Sequence, residues 1–127
     1  MNNSSSGNKQ GNPILDISRR FSRNIIQYSL TLEQLRLRDI AIQLRRSATS
    51  VGANISEAQK AQSRADFMHK MKLAQKELQE AEYWIELCKD LPGCELSQEI
   101  EPDILSMRKL FSAIISSAIK GRTRSGD

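Results

Sequence analysis

His69, Cys88 and Cys94 are the residues of this 127-residue chain with the most to offer as ligands, bases or nucleophiles. Their company is poor. A carboxylate-bridged di-iron centre in a helical protein needs Glu from two helices and a Glu-x-x-His motif from two others. Only Asp66-x-x-His69 approaches that pattern, and the first apolar stripe carries a single acid, Asp16. Two cysteines six apart, with one histidine in the chain, exclude a zinc finger or ribbon within one subunit. A Ser or Cys nucleophile needs a base, and His69 is the sole candidate. No segment resembles a Gly-rich phosphate loop. Glu77, Glu80, Glu82 and Glu86 could be taken for a metal face, but Lys72 and Lys76 lie one turn earlier, which makes them ion-paired surface positions. The residues therefore predict a protein without a catalytic set, metal or cofactor.

The chemistry with more residues behind it is phosphate binding. Arg19, Arg20, Arg23, Arg36, Arg38, Arg45, Arg46, Arg64, Lys70 and Lys72 fall in the first part of the chain, and Lys120, Arg122 and Arg124 at its end. From Met1 to Lys76 there are 13 Lys and Arg against 5 acids; from Glu77 to Asp127 there are 6 against 10. So uneven a chain can bind a polyanion with its basic part, stack subunits head to tail, or carry solvated helix faces with no partner. Aromatic residues make up 5% of the chain, which argues against stacked platforms for single-stranded RNA. No groove-reading motif for DNA is present.

Helices must position these groups. Ile14, Ile17, Phe21, Ile25, Tyr28 and Leu32 form one helical stripe after Pro13. Leu37, Ile40, Leu44, Ala48, Val51, Ile55 and Ala58 form a second. The break between them is expected within 30–38, with a Thr31–Gln34 capping box or an Asp39 cap. A heptad seam runs through Phe67, Met71, Ala74, Leu78, Ala81, Ile85 and Cys88, capped by Ser63 or Asp66 and stopped by Pro92 and Gly93. Ile104, Met107, Phe111, Ile114 and Ala118 make a fourth stripe that Gly121 closes. The fold class is all-α, an antiparallel up-down-up-down four-helix bundle over 13–120. Residues 1–12 read as a disordered tail and 121–127 as a basic one.

Segment 47–58, SATSVGANISEA, is so thin in side chain that another backbone can come close. Asn54 and Glu57 sit beside its apolar stripe; burial there calls for a hydrogen-bonded polar network that fixes helix register, with a polar pocket or an intersubunit lock as the functional alternative. No apolar run approaches the ~18 residues of a membrane span, and the N-terminus lacks a signal-peptide core. The expected compartment is the cytoplasm, with both thiols reduced.

Gln43, Leu44, Arg45, Arg46, Ala48, Ser50, Val51, Asn54, Ile55 and Glu57, followed in step by Phe67, Ala74, Glu77 or Glu80, and Leu87, give the chain a family likeness. It resembles the four-helix-bundle or 23S rRNA intervening-sequence proteins, whose pattern is QLRRAxxSIxxNIAEG. Ala58 stands where that pattern has Gly and Ser56 where it has Ala, both small for small. The Trp-containing aromatic start of the family's first helix is missing. The resemblance implies a homo-oligomer, a homopentameric ring, with no enzymatic activity. It is similar in fold to the accessory variability proteins of diversity-generating retroelements, which bind nucleic acid and a reverse transcriptase; the resemblance thus puts forward RNA or DNA, and such a polymerase, as partners. A protein-docking scaffold with no nucleic-acid role is the alternative.

Overall fold

The computed structural model describes residues 11–125, with side chains to residue 121. Four α-helices follow one another: α1 (Pro13–Gln34), α2 (Arg38–Ala58), α3 (Arg64–Lys89) and α4 (Ile100–Ser125). Each packs on the helices before and after it, α4 returns to α1, and the diagonal pairs do not meet. The short links make neighbours antiparallel, as expected for an up-down-up-down bundle. No strand occurs among the described residues, and no described helix is long and apolar enough to cross a membrane.

The start of α1 is written locally. Asn12 is extended and its Oδ1 accepts from the Leu15 N–H at 3.2 Å, while Pro13 opens the first turn and Asp16 faces the dipole. The tail assigned to 1–12 lies outside the described residues as far as residue 10. Phe21, Ile25, Tyr28 and Leu32 enter the core as their spacing predicts, but Ile17 is half-buried and Ser18 and Ser29 are buried instead. These serines satisfy themselves on their own helix: Ser18 Oγ donates to the Leu15 carbonyl and Ser29 Oγ to that of Ile26.

The α1–α2 turn is tighter than its sequence suggests. The Leu37 N–H donates to the Leu32 carbonyl and the Arg36 N–H to that of Glu33, both at 2.9 Å. This is a Schellman end, in which the residue after the cap is left-handed and commonly glycine. Here it is Arg36, at φ 66°. Neither proposed cap is used: Leu37 precedes α2 and offers no side-chain acceptor.

Thin side chains set the distance between α1 and α2. A Cβ added at Gly52 would lie 3.2 Å from Ser18 Oγ, and Ser22 Oγ donates to the Ala48 carbonyl at 3.2 Å. Ala41, Leu44, Ala48, Val51, Ile55 and Ala58 supply the apolar stripe of α2. Ser63 Oγ caps α3 by accepting the Asp66 N–H at 3.0 Å. Met71, Ala74, Leu78, Ala81, Ile85 and Cys88 form its buried seam, with Met68 buried where the heptad pointed to Phe67. Tyr28 Oη donates to the Cys94 carbonyl at 2.7 Å and ties the α3–α4 loop to α1. Burial pushes the phenol well above its usual range.

Ile100, Ile104, Met107 and Phe111 complete the core from α4. The helix does not stop at Gly121 but runs through it to Ser125. A glycine costs a helix roughly 1 kcal/mol relative to alanine, which does not end it unless the chain turns left-handed there.

The two helical glycines should answer substitution differently. Gly52→Leu drives a side chain into Ser18 and should lower unfolding stability by about 1–3 kcal/mol. Gly121→Ala meets nothing closer than the Arg64 guanidinium at 3.8 Å and should be neutral or stabilising by up to about 1 kcal/mol. Urea unfolding midpoints of the two variants check this.

Candidate nucleic-acid interface

The structure sorts the basic residues by partner. Arg20 is taken by Asp103: Nε and Nη2 donate to the two carboxylate oxygens at 2.9 and 2.7 Å, across 83 residues of sequence. Asp103 is buried, so this fork is a clamp between α1 and α4. Arg45 donates to Ser29 Oγ at 2.7 Å and to Glu33 at 2.9 Å, joining α2 to α1. Arg46 pairs with Glu77 and Glu80 on α3. Lys70 of α3 reaches back to Glu57 of α2 at 2.7 Å. The acids of α3 do not pair with Lys72 and Lys76: Glu77, Glu80 and Glu82 pair across helices, the last with Arg108 of α4, while Glu86 meets Lys89 on its own helix, and Lys89 also reaches Glu101 of α4.

Asn54 and Glu57 do not form the buried network expected of them. Asn54 Nδ2 donates to the Ser50 carbonyl at 2.9 Å on its own helix, and Glu57 is exposed. No hydrogen bond joins the two among the described residues. Glu57 faces outward because it sits more than a quarter turn from the Val51–Ile55 stripe, within reach of Lys70.

Arg19, Arg23, Arg36 and Arg38 are exposed and make no ion pair among the described residues. They share one face. Arg19, Arg23, Ile26 and Leu30 repeat at spacings of 4, 3 and 4 on α1, and Arg38, Ile42, Arg45 and Thr49 repeat likewise on α2. The Arg45–Glu33 and Ser22–Ala48 contacts lay these stripes side by side. The face has Arg19 and Arg23 toward one end, Arg36 and Arg38 at the other, and Ile26, Leu30 and Ile42 exposed between them. From Arg19 to the end of α1 it spans about 20 Å. The uncapped first turn of α2 adds the positive end of its dipole beside Arg38. Arg64 and Lys72 are exposed on α3, outside this face. The apolar centre was missed from sequence, although Ile26 and Leu30 are one turn apart and off the core stripe.

The chemistry weighed for the remaining residues finds no assembled site. Asp66 accepts from the Gln62 N–H at 3.3 Å, His69 is exposed, and Cys88 and Cys94 are buried free thiols. Burial pushes both thiols up. No group of three or more His, Cys, Asp or Glu that could hold a metal occurs among the described residues.

Two measurements follow from this geometry. Glu80 accepts from Arg46 and, at 3.1 Å, from the indole N–H of Trp84, the only tryptophan. These bonds hold its carboxyl below the usual glutamate range, so the interaction is present at neutral pH and lost only as pH falls through that lowered value. Trp84 fluorescence should titrate with a midpoint below that of an ordinary glutamate, and Arg46→Met should raise the midpoint. Arg36→Gly should relieve the left-handed strain and raise unfolding stability by about 1 kcal/mol in urea titrations.

Comparison with known proteins agrees with the helical architecture. A family model described as 23S rRNA-intervening sequence protein matches residues 11–113. No curated protein sequence matches the chain. Among solved structures, a protein of unknown function from the S23 ribosomal protein family of Bacteroides thetaiotaomicron is similar at 37% identity and a TM-score of 0.72, over 80% of this chain and 97% of that one. The motif residues Leu44, Ala48, Val51 and Ile55 are core, and Arg45, Arg46 and Glu57 are cross-helix pairs, so the shared pattern is a prescription for packing α2. With its bundle, its α2 motif and this match, the chain belongs to the 23S rRNA-intervening sequence protein family.

Proposed function

We propose that the protein is a non-catalytic nucleic-acid-binding protein whose contact surface is the α1–α2 face. One observation carries this reading: the carboxylates engage Arg20, Arg45, Arg46 and Lys70 and leave Arg19, Arg23, Arg36 and Arg38 unpaired together. Paired arginines hold helices; the two unpaired pairs, set at the two ends of a face about 20 Å long, can meet phosphates several steps apart on a strand that rises about 3.4 Å per residue. Guanidinium groups bind phosphate in a fork, and contact of this kind is independent of base sequence. The left-handed Arg36 fits the reading: it puts a cation at a position where glycine would sit more easily.

The working unit in this proposal is a homo-oligomeric ring, a pentamer by the family resemblance, which repeats the face and multiplies a weak contact by avidity. The same resemblance makes a reverse transcriptase a partner to test once the nucleic acid is known. Sedimentation velocity reads the assembly directly.

Binding of a labelled structured RNA and of a duplex DNA, each at low and moderate salt, tests the proposal. Affinity should fall steeply with salt. Arg19→Glu with Arg23→Glu should weaken binding at least about tenfold and flatten the duplex salt slope by about 0.9 for each phosphate no longer neutralised. Arg46→Met should leave binding intact and cost no more than about 1 kcal/mol of stability. Absence of binding at low salt, or equal binding by the double variant, overturns the proposal.

A further inference from the structure

The middle of the α1–α2 face has a chemistry different from its ends. From Arg23 to Glu33, α1 runs about 15 Å without a further cation. Arg45 is the arginine that α2 brings alongside, and it is engaged by Ser29 Oγ at 2.7 Å and by Glu33 at 2.9 Å. Leu30 and Ile42 each lie within one turn of that contact, and Ile26 lies one turn before Leu30. All three are exposed, at 45%, 38% and 39%, so they form one apolar patch. Arg19 and Arg23 stand beyond one end of it, and Arg36 and Arg38 beyond the other.

Such a patch is a poor match for a duplex. Paired and stacked bases leave phosphates, sugars and polar base edges outermost, and pressing those onto aliphatic side chains strips their water without returning a hydrogen bond. An unpaired strand has free base faces, which are flat and largely apolar. It can give phosphates to the arginines at each end and lay its bases on the patch between them. We propose that the face selects an unpaired stretch of nucleic acid, a single strand or a loop, whose outer phosphates take the two sets of arginines and whose intervening bases rest on Ile26, Leu30 and Ile42. This selection rests on the nucleic-acid reading of the face and names the form of nucleic acid held there. Aliphatic side chains offer no hydrogen bond to a base edge, so the preference is for unpaired bases of any sequence.

The probe is a fluorescein-labelled oligoribonucleotide of mixed sequence without self-complementarity, alone or annealed to its complement. Charge by itself favours the duplex, whose phosphates are denser. The full chain should instead bind the single strand at least about tenfold more tightly. Ile26→Ser with Leu30→Ser changes two exposed positions; it should weaken single-strand binding about tenfold and leave duplex binding and circular dichroism unchanged. If that variant loses helicity, Ile42→Ser on the other helix takes its place and should weaken single-strand binding about threefold. Arg19→Glu with Arg23→Glu should weaken both forms. Duplex binding as tight as single-strand binding, or undiminished single-strand binding by the serine variants, overturns the selection and leaves phosphate contact standing. Binding of neither form overturns the nucleic-acid reading and the selection with it. Loss of self-association in the serine variants, read by sedimentation, overturns the selection in favour of a second copy on the patch.

Discussion

How closely α2 can approach its neighbours decides the rest of the molecule. Gly52 and Ala48 offer so little side chain that Ser18 and Ser22 of α1 lie directly on the α2 backbone. On its other side α2 meets α3 through Arg46 and Lys70 pairs that bracket the apolar seam. The three helices α1 to α3 thus form a dense unit. The fourth is held differently: Ile100, Ile104, Met107 and Phe111 are buried, each contributing roughly 1.5–3 kcal/mol, and Arg20, Lys89 and Arg108 secure its edges. Exposed ion pairs add little by themselves. What they do is fix register, here that of α4 against α1 and α3.

Much of this was legible in the sequence, because helical periodicity is local. Each apolar stripe names a face, and Phe21, Leu44, Leu78 and Phe111 arrive in the core where their spacing puts them. Helix ends are less legible. Asp39 has the look of a cap, yet backbone bonds from Arg36 and Leu37 already close the turn. Gly121 has the look of a stop, yet a glycine ends a helix by turning left-handed, and among the described residues only Arg36 and Gly93 do so.

The candidate face was only half legible, for a physical reason. Arg19 and Arg20 are adjacent and chemically identical, but the turn of the helix points one to solvent and the other to Asp103. Arg45 and Arg46 diverge in the same way, one toward α1 and one toward α3. Which arginine is consumed depends on acids far away in sequence, so spacing alone credits all of them equally. The net charge of +4 conceals the same sorting. Pairing neutralises charge along the helix seams and leaves Arg19, Arg23, Arg36 and Arg38 unpaired on one outer face, with the acids gathered on the second half of α3 and the start of α4.

The two thiols carry a practical consequence. Cys88 closes the α3 seam and Cys94 lies in the α3–α4 loop, where Tyr28 pins its carbonyl, both shut away from solvent. A bulky alkylating reagent reaches them only when that end of the bundle opens. Their modification rate is therefore a clock for local opening, read by mass without any engineered label. A cysteine introduced on the surface would react first and against a silent background.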